Sequence, residues 1–136
     1  MKIALAQLNY TIGDIEGNKS KIIGAVERAK SEGADLVVFA EQALSGTPAL
    51  DLLCKTTFIE LCEEALDEIA SHCGRIAAVV GVPVLTECGT VSAAAVIQHG
   101  EVERCISKRF ITARRENSSG RNVCQYALWQ NHRLRR

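Results

Sequence analysis

Three residue types in this sequence could together catalyse acyl transfer, namely a carboxylate, an ammonium group and a thiol. The carboxylate is Glu41, which directly follows the apolar residues 36–40. That run has no polar alternation, which is typical of a strand covered on both faces. A side chain at the end of a buried strand is held firmly and can still reach a substrate. The alternative is that Glu41 simply opens a solvated loop, because most charged residues are exposed.

The ammonium group is Lys108, at the end of a predicted β-hairpin with strands at 91–98 and 101–108. His99 and Gly100 join them, and a two-residue loop ending in glycine favours a hairpin because glycine accepts a positive φ. Alone, Lys108 would be interpreted as a solvated lysine in a basic run. With Glu41, the pair could supply a general base and an oxyanion-stabilising cation. A nucleophilic cysteine would then allow acyl transfer through a thioester.

The cysteines are spread along the chain and form no C-x-x-C pair, so we do not expect a zinc site. The N-terminus lacks the separate apolar region and the cleavage site of a signal peptide. We therefore predict a cytoplasmic protein with reduced thiols, most of them small packing residues. The cysteines are Cys54, Cys62, Cys73, Cys88, Cys105 and Cys124.

The charge balance indicates which partners to expect. The chain has 16 basic and 16 acidic residues, and its formal net charge is zero. This argues against nucleic acid or an acidic membrane as the main partner. No apolar run approaches the ~20 residues that a membrane helix needs. The distribution is nevertheless uneven, because Glu116 is the only acidic residue within the basic segment 104–136.

The predicted elements follow the order β-α-β-α-β-β-β, which indicates an α/β fold with a mixed sheet and helices on one face. The opposite face of apolar central strands also needs cover, and the sequence offers no third clear helix. We therefore expect an exposed apolar face and a homo-oligomer or other self-association. The predicted strands are residues 2–9, 35–40, 76–82, 91–98 and 101–108, and the predicted helices are 17–31 and 58–74.

Several stretches carry a resemblance to a known family: MKIALAQLN with Gly13-Asp14 and Gly17-Asn18, GADLVVFAEQALSG at 33–46, the loop from Pro48 to Phe58, VGVP at 80–83, the alanine-rich 93–96 with Gly100, and Lys108-Arg109. Through these stretches residues 1–116 resemble the N-terminal part of the nitrilase (carbon-nitrogen hydrolase) superfamily. Within it they are most similar to the glutaminase domain of glutamine-dependent NAD synthetase.

The resemblance implies an α-β-β-α sandwich and a Glu-Lys-Cys triad. Glu41 matches the general base and Lys108 the oxyanion-stabilising lysine, while Glu116 loosely fits a segment that lines the glutamine pocket. In this family a cysteine attacks the side-chain amide of glutamine. The ammonia passes to a synthetase domain that uses ATP, so the resemblance implies no cofactor in this chain and glutamine as its small-molecule partner.

The sequence also departs from the family pattern. Ala40 stands where a proline usually precedes the glutamate, and Val91-Ser92 replaces a usual Tyr-Asn pair. Beyond Glu116 the resemblance stops, and Cys124 does not match the glycine-rich segment that carries the family's cysteine. We therefore expect residues 1–116 to be a partial glutaminase domain, truncated or frame-shifted into an atypical, poorly ordered basic tail at 117–136.

We expect this short chain to be inactive, because no cysteine matches the nucleophile. Two alternatives remain open from the sequence. The chain could come from another amidase or nitrilase branch of the superfamily, or it could be a non-catalytic fragment that acts as an association module.

Overall fold

The computed structural model describes residues 1–87, 89–109 and 128–132. Across these residues six strands form one sheet, in the same order as they occur in the chain. The strands are β1 (Ile3–Leu5), β2 (Leu36–Val38), β3 (Ala77–Thr86), β4 (Gly89–Gln98), β5 (Glu101–Arg109) and β6 (Leu128–His132). The helices in the described part are α1 (Ile15–Ser31), a short 3-10 helix (Leu50–Cys54) and α2 (Thr56–Ser71).

The sheet is mixed, as the sequence predicted. β1, β2 and β3 are parallel neighbours, whereas β3, β4, β5 and β6 pair antiparallel. Parallel neighbours need a crossover connection, and α1 and α2 provide the two crossovers. The predicted hairpin is confirmed, since His99 and Gly100 both have positive φ and connect β4 to β5.

Helix α1 begins two residues earlier than the predicted position 17, because Asp14 caps it. The Asp14 carboxylate accepts a hydrogen bond from the backbone N–H of Gly17 at 2.9 Å. The buried face includes Ile15, Ile22 and Val26, as a helical period requires. Helix α2 likewise begins at Thr56, ahead of the predicted Phe58, and ends at Ser71.

The hydrophobic core lies between the helices and one face of the sheet. Helix α1 packs against α2 and β2, and α2 packs against β3 and β5. From the sheet, alternate residues enter the core, among them Val80, Ala95 and Cys105, each fully buried. Ile59 and Ile69 of α2 are equally buried. This arrangement confirms the predicted α/β fold, in which the helices cover one face of a mixed sheet.

Strand bounds differ most from the predictions in β1, β2 and β3. β1 covers only Ile3–Leu5 of the predicted 2–9. β2 covers only Leu36–Val38, because its parallel pairing with β1 and β3 extends over only those three residues. β3 continues through Pro83 to Thr86 instead of ending at 82. The pairing with β4 is continuous from Ala78 to Thr86, so the strand continues although Pro83 has no backbone N–H to donate.

Part of the segment 117–136, predicted to be a poorly ordered tail, is described. Residues Leu128–His132 form β6, with Trp129 opposite Lys108. Glu116, Cys88 and Cys124 lie outside the described residues, so the predictions for them stay predictions. Within the described part of the chain, no helix is long and apolar enough to cross a membrane.

Candidate active site

Glu41 lies in a tight turn immediately beyond β2, close to the predicted position at a strand end. The chain remains attached to β3 on both sides of the turn. Phe39 N donates to Val79 O at 2.9 Å, and Leu44 N donates to Gly81 O at 3.3 Å. Gln42 within the turn has a φ of 53°. The position of the Glu41 backbone is therefore set by hydrogen bonds to β3 and not only by the conformational preferences of the turn residues.

Gly81 of β3 allows this turn to pack so closely. A Cβ atom on Gly81 would lie 2.7 Å from Glu41 Cα and 2.5 Å from Gln42 N, and closer still to Ala40 O. Real Cβ atoms essentially never approach backbone atoms so closely, so a glycine is required here. Gly81 belongs to the family-like stretch at 80–83, but this role was not predicted from the sequence. A glycine inside a strand is the signal that could have indicated a close backbone approach.

A pocket of about 190 Å³ opens beside Glu41 on the sheet face opposite the core. Its walls are mostly apolar, and its lining includes Val79, Gly81, Ala94 and Ile106 together with Glu41 and Ser92. A carboxylate and a hydroxyl at the edge of an apolar pocket can orient a small polar group and exchange a proton with it.

Ser92 of β4 holds the carboxylate of Glu41. The Ser92 hydroxyl donates a hydrogen bond to Glu41 Oε1 at 2.9 Å. Ser92 is half-buried, whereas Glu41 is exposed. From the sequence, Ser92 was only a departure from the family pattern, and its contact with Glu41 was not predicted.

Lys108 lies on the strand next to Ser92. Ala93 pairs with Ser107 in the β4–β5 register, so position 108 follows directly after that pair, next to Ser92. Strand alternation puts position 108 on the same sheet face as Ile106, which lines the pocket. The fold thus brings the predicted positions 41 and 108 to the same face of the sheet.

A buried asparagine ties the Glu41 turn to α1. Asn18 is fully buried, and its side chain forms three hydrogen bonds. Its Oδ1 accepts from Thr11 N at 2.8 Å, and its Nδ2 donates to Thr11 O at 2.7 Å and to Leu44 O at 3.0 Å. The segment after Glu41 is therefore anchored to a helix as well as to β3. The Gly17-Asn18 match was part of the resemblance, but its structural role was not predicted.

None of the cysteines that the structure describes lines the pocket. Cys62, Cys73 and Cys105 are buried as predicted, and burial raises the pKa of their thiols to about 12, 11 and 11. Cys54 was predicted to be a packing residue, but it is exposed at the end of the 3-10 helix. That short helix contributes no buried residue, which explains the difference.

A metal-assisted site would need a cluster of ligands. In the described parts of the chain, no group of three or more histidine, cysteine, aspartate or glutamate residues could hold an ion.

Comparison with known families identifies the chain. The sequence model of the carbon-nitrogen hydrolase family matches residues 2–110, which are most of the chain. This chain belongs to the carbon-nitrogen hydrolase family. The resemblance predicted from the sequence is thereby confirmed.

Among the proteins similar to this carbon-nitrogen hydrolase chain are several glutamine-dependent NAD(+) synthetases. The chain is 40% identical over 113 residues to a glutamine-dependent NAD(+) synthetase of Aquifex aeolicus. The aligned region covers 82% of this chain and 20% of the relative. The crystal structure of a glutamine-dependent NAD(+) synthetase from Cytophaga hutchinsonii matches with a TM-score of 0.77 and 27% identity, over 81% of this chain and 19% of that one. The chain therefore spans about a fifth of the length of these relatives.

An amidase has the same fold as this hydrolase-family chain. The NitN amidase from Neterenkonia sp. AN1 matches with a TM-score of 0.72, over 93% of this chain and 50% of the amidase. At 24% identity, this likeness establishes the fold alone.

Proposed function

We propose that this chain carries part of the glutamine-hydrolysing site of a glutamine-dependent NAD synthetase. The observation that carries the proposal is the Glu41 carboxylate, which lies in the turn after β2, accepts a hydrogen bond from Ser92 and lines a small pocket. Residues 2–110, which include this site, fall within the family match. The similarity to glutamine-dependent NAD(+) synthetases supports glutamine as the amide. The ammonia would serve NAD synthesis in a synthetase domain, which would also bind the ATP.

Glu41 would act as the general base. It would take a proton from an attacking thiol and return it to the leaving ammonia, a role that contributes typically ~10²–10⁴-fold to the rate. Lys108 would stabilise the oxyanion that forms on the amide oxygen, a contribution of about 3 kcal/mol. Glu116 would contact the substrate glutamine. The proposed roles of Glu41 and Lys108 are supported by the positions of these residues on one face of the sheet. The proposed role of Glu116 is supported by the resemblance alone.

The reaction would pass through a thioester. The thiolate attacks the amide carbon, the C–N bond breaks as ammonia leaves with the proton, and water then hydrolyses the thioester. We assign no cysteine to this step, since those described do not line the pocket and Cys124 does not match the family segment. Loss of the nucleophile removes ~10⁶ of the rate in a comparable triad. The proposed function of this chain is therefore to bind the amide, with little or no turnover.

The site is tested by titrating the ¹⁵N-labelled protein with L-glutamine and, separately, with acetamide. Glutamine should shift the amide resonances of Gly81, Ser92 and Ala94, and Glu41→Gln should weaken this binding. Glu64→Gln, which changes an exposed glutamate of α2, is the matched control and should bind as the unsubstituted chain does. Binding of acetamide without glutamine would favour another amidase branch. Binding of neither would contradict the proposal and favour an association module.

We also propose that the chain self-associates through β1, at the edge of the sheet face opposite the helices and two strands away from the β3 residues that line the pocket. On β1, Ile3 and Leu5 are 47% and 76% exposed, which supports an apolar contact surface. Sedimentation at micromolar concentration should show dimers or larger species. A monodisperse monomer would contradict this proposal and would leave the glutamine titration unaffected.

A further inference from the structure

The hydroxyl oxygen of Tyr10, in the loop between β1 and α1, is buried without a complete hydrogen bond. Among the buried side-chain nitrogen and oxygen atoms of the described residues, it is the one left in this state. The residue as a whole packs against the hydrophobic core. A buried hydroxyl without a partner costs free energy, and a phenylalanine would pack equally well without that cost. The hydroxyl of Tyr10 therefore needs an explanation other than packing.

The loop that carries Tyr10 packs against the segment that follows Glu41. Gly13 N donates to Ser45 O at 2.9 Å. The buried side chain of Asn18 joins the same loop to that segment a second time, through the hydrogen bonds described above. One side of the Glu41 turn is therefore already held by this loop.

The other side of the turn begins at Ala40, whose N–H points away from β3. Phe39 N donates to Val79 O of β3 at 2.9 Å. Successive N–H groups of an extended chain point to opposite edges, so the N–H of Ala40 points toward the β1 side. The chain that continues from β1 runs along this side, since Ala6 N donates to Val38 O at 2.9 Å.

The oxygen of Tyr10 lies beside this N–H. Burial raises the pKa of the Tyr10 phenol, and the backbone of Ala40 acts in the opposite direction. A backbone group favours the ionised phenol by presenting its N–H to the oxygen, so it is the N–H of Ala40 that faces Tyr10. A backbone N–H that needs an acceptor and a buried oxygen that lacks a complete hydrogen bond thus lie next to each other.

We infer that Tyr10 is a positioning residue for Glu41: its phenol oxygen accepts the N–H of Ala40 and so holds the backbone from which the proposed general base projects. The catalytic meaning of this contact rests on the proposed function. The contact adds to the other interactions of Glu41 and does not require that any of them be absent. A general base must stay within hydrogen-bond reach of the proton that it takes, and a turn held on both sides keeps it there.

Tyr10→Phe removes only the hydroxyl, and its effect is measured by NMR-detected hydrogen exchange in the full chain. The Ala40 amide should exchange roughly 3- to 10-fold faster than in the unsubstituted protein, as expected for the loss of one ordinary hydrogen bond. The urea midpoint should not fall, because the variant also removes a poorly satisfied buried hydroxyl. Unchanged exchange at Ala40, or faster exchange that merely follows a lower midpoint, would overturn the inference.

Ala40→Pro provides a second test, because proline has no N–H for the oxygen to accept. The affinity for L-glutamine should fall in Tyr10→Phe, but it should not fall further when Tyr10→Phe is added to Ala40→Pro. Equal losses in the two backgrounds would show that the hydroxyl acts elsewhere. The exchange measurement does not use the proline variant, so it decides the question even if that variant folds poorly.

Thr90→Val is the matched control, since it also removes one hydroxyl. The Thr90 hydroxyl donates to Leu53 O at 2.9 Å, so its loss should lower the urea midpoint. Exchange at Ala40 should stay unchanged, and an acceleration equal to that in Tyr10→Phe would count against the inference. Failure of the proposed function is distinguishable, because glutamine binding would then be absent in the unsubstituted chain while the exchange result for Tyr10→Phe still stood.

Discussion

Gly81 lies directly beneath the backbone of Glu41, and the two residues can occupy these positions only because Gly81 has no side chain. Glu41 Cα would be 2.7 Å from a Cβ at position 81. The contact is between two backbones, so no rotamer change could relieve it. The position of the proposed general base is consequently determined as much by β3 as by the strand that precedes it.

Gly81→Ala should destabilise the protein and displace the Glu41 turn. The expected loss is about 1–3 kcal/mol in the free energy of unfolding, as for other overpacked sites. Urea unfolding gives the energy, and amide shifts of residues 40–42 report the displacement. Gly24→Ala is the control, since Gly24 is exposed in α1 with no atom within 4 Å of the new Cβ. It should stabilise by roughly 0.5–1 kcal/mol, so equal effects of the two variants would contradict the packing argument.

Asn18→Ala should be costly, because Asn18 satisfies polar backbone groups at Thr11 and Leu44. Leaving buried donors and acceptors without partners typically costs ~1–3 kcal/mol each, less where water can enter. We expect lower stability to urea together with faster hydrogen exchange at Leu44. Asn9→Ala, at an exposed position, is the control and should be nearly neutral. Unchanged exchange at Leu44 in Asn18→Ala would show that the asparagine does not hold this loop.

Cysteine reactivity should separate the described thiols into two groups. Iodoacetamide at pH 8 should alkylate Cys54 in the folded protein, since this residue is exposed. Cys62, Cys73 and Cys105 should be protected, because burial blocks access and raises the pKa of each thiol to about 12, 11 and 11. Peptide mapping by mass spectrometry reads the result, with a sample in urea as the fully reactive control. Equal rates at Cys105 and Cys54 would contradict the described burial.

Stability should fall as the pH rises above about 9. The buried thiols have a raised pKa in the folded state, so the unfolded chain loses its thiol protons first and alkali favours unfolding. Each such thiol lowers the free energy of unfolding by about 1.4 kcal/mol per pH unit between its pKa in the unfolded state and its pKa in the folded state. The contribution of these thiols to stability is fully present below 9.0, the pKa of a cysteine thiol in the unfolded chain. Urea unfolding from pH 8 to pH 10 under reducing conditions measures the slope.

Cys62→Ala tests the assignment of this pH dependence. Removing one buried thiol should make the decline between pH 9 and pH 10 shallower, whatever the variant does to stability at pH 7. Cys54→Ala is the control and should leave the slope unchanged, because Cys54 is exposed. Identical slopes in all three proteins would show that thiol ionisation does not drive the alkaline loss.

The elements that depend on local pattern were predictable from the sequence. The apolar spacing of α2 identified its buried face, and His99-Gly100 identified the hairpin. The strand before Glu41 was recognised from its unbroken apolar run. Local composition also misled, because Cys54 was expected to pack and is exposed.

The contacts that hold the candidate site were not predictable in this way. Ser92 and Glu41 lie 51 positions apart in the sequence, and Asn18 and Leu44 lie 26 apart. Such pairs meet only after the sheet register and the helix packing have been set. No local period indicates which serine will face which carboxylate, so Ser92 and Asn18 emerged only from the structure.

The mixed topology of the sheet also has a consequence for the order of folding. Strands β3, β4 and β5 form a meander whose turns are short, with Thr86 opposite Gly89 and Gln98 opposite Glu101. The parallel pairs must instead close across whole helices, since Leu36 pairs with Ile3 on one side and with Ala77 on the other. Closing a long loop costs more entropy, and non-local contacts form more slowly. We therefore expect Ser92 and position 108 to come together early, and Glu41 to arrive as one of the last events of folding.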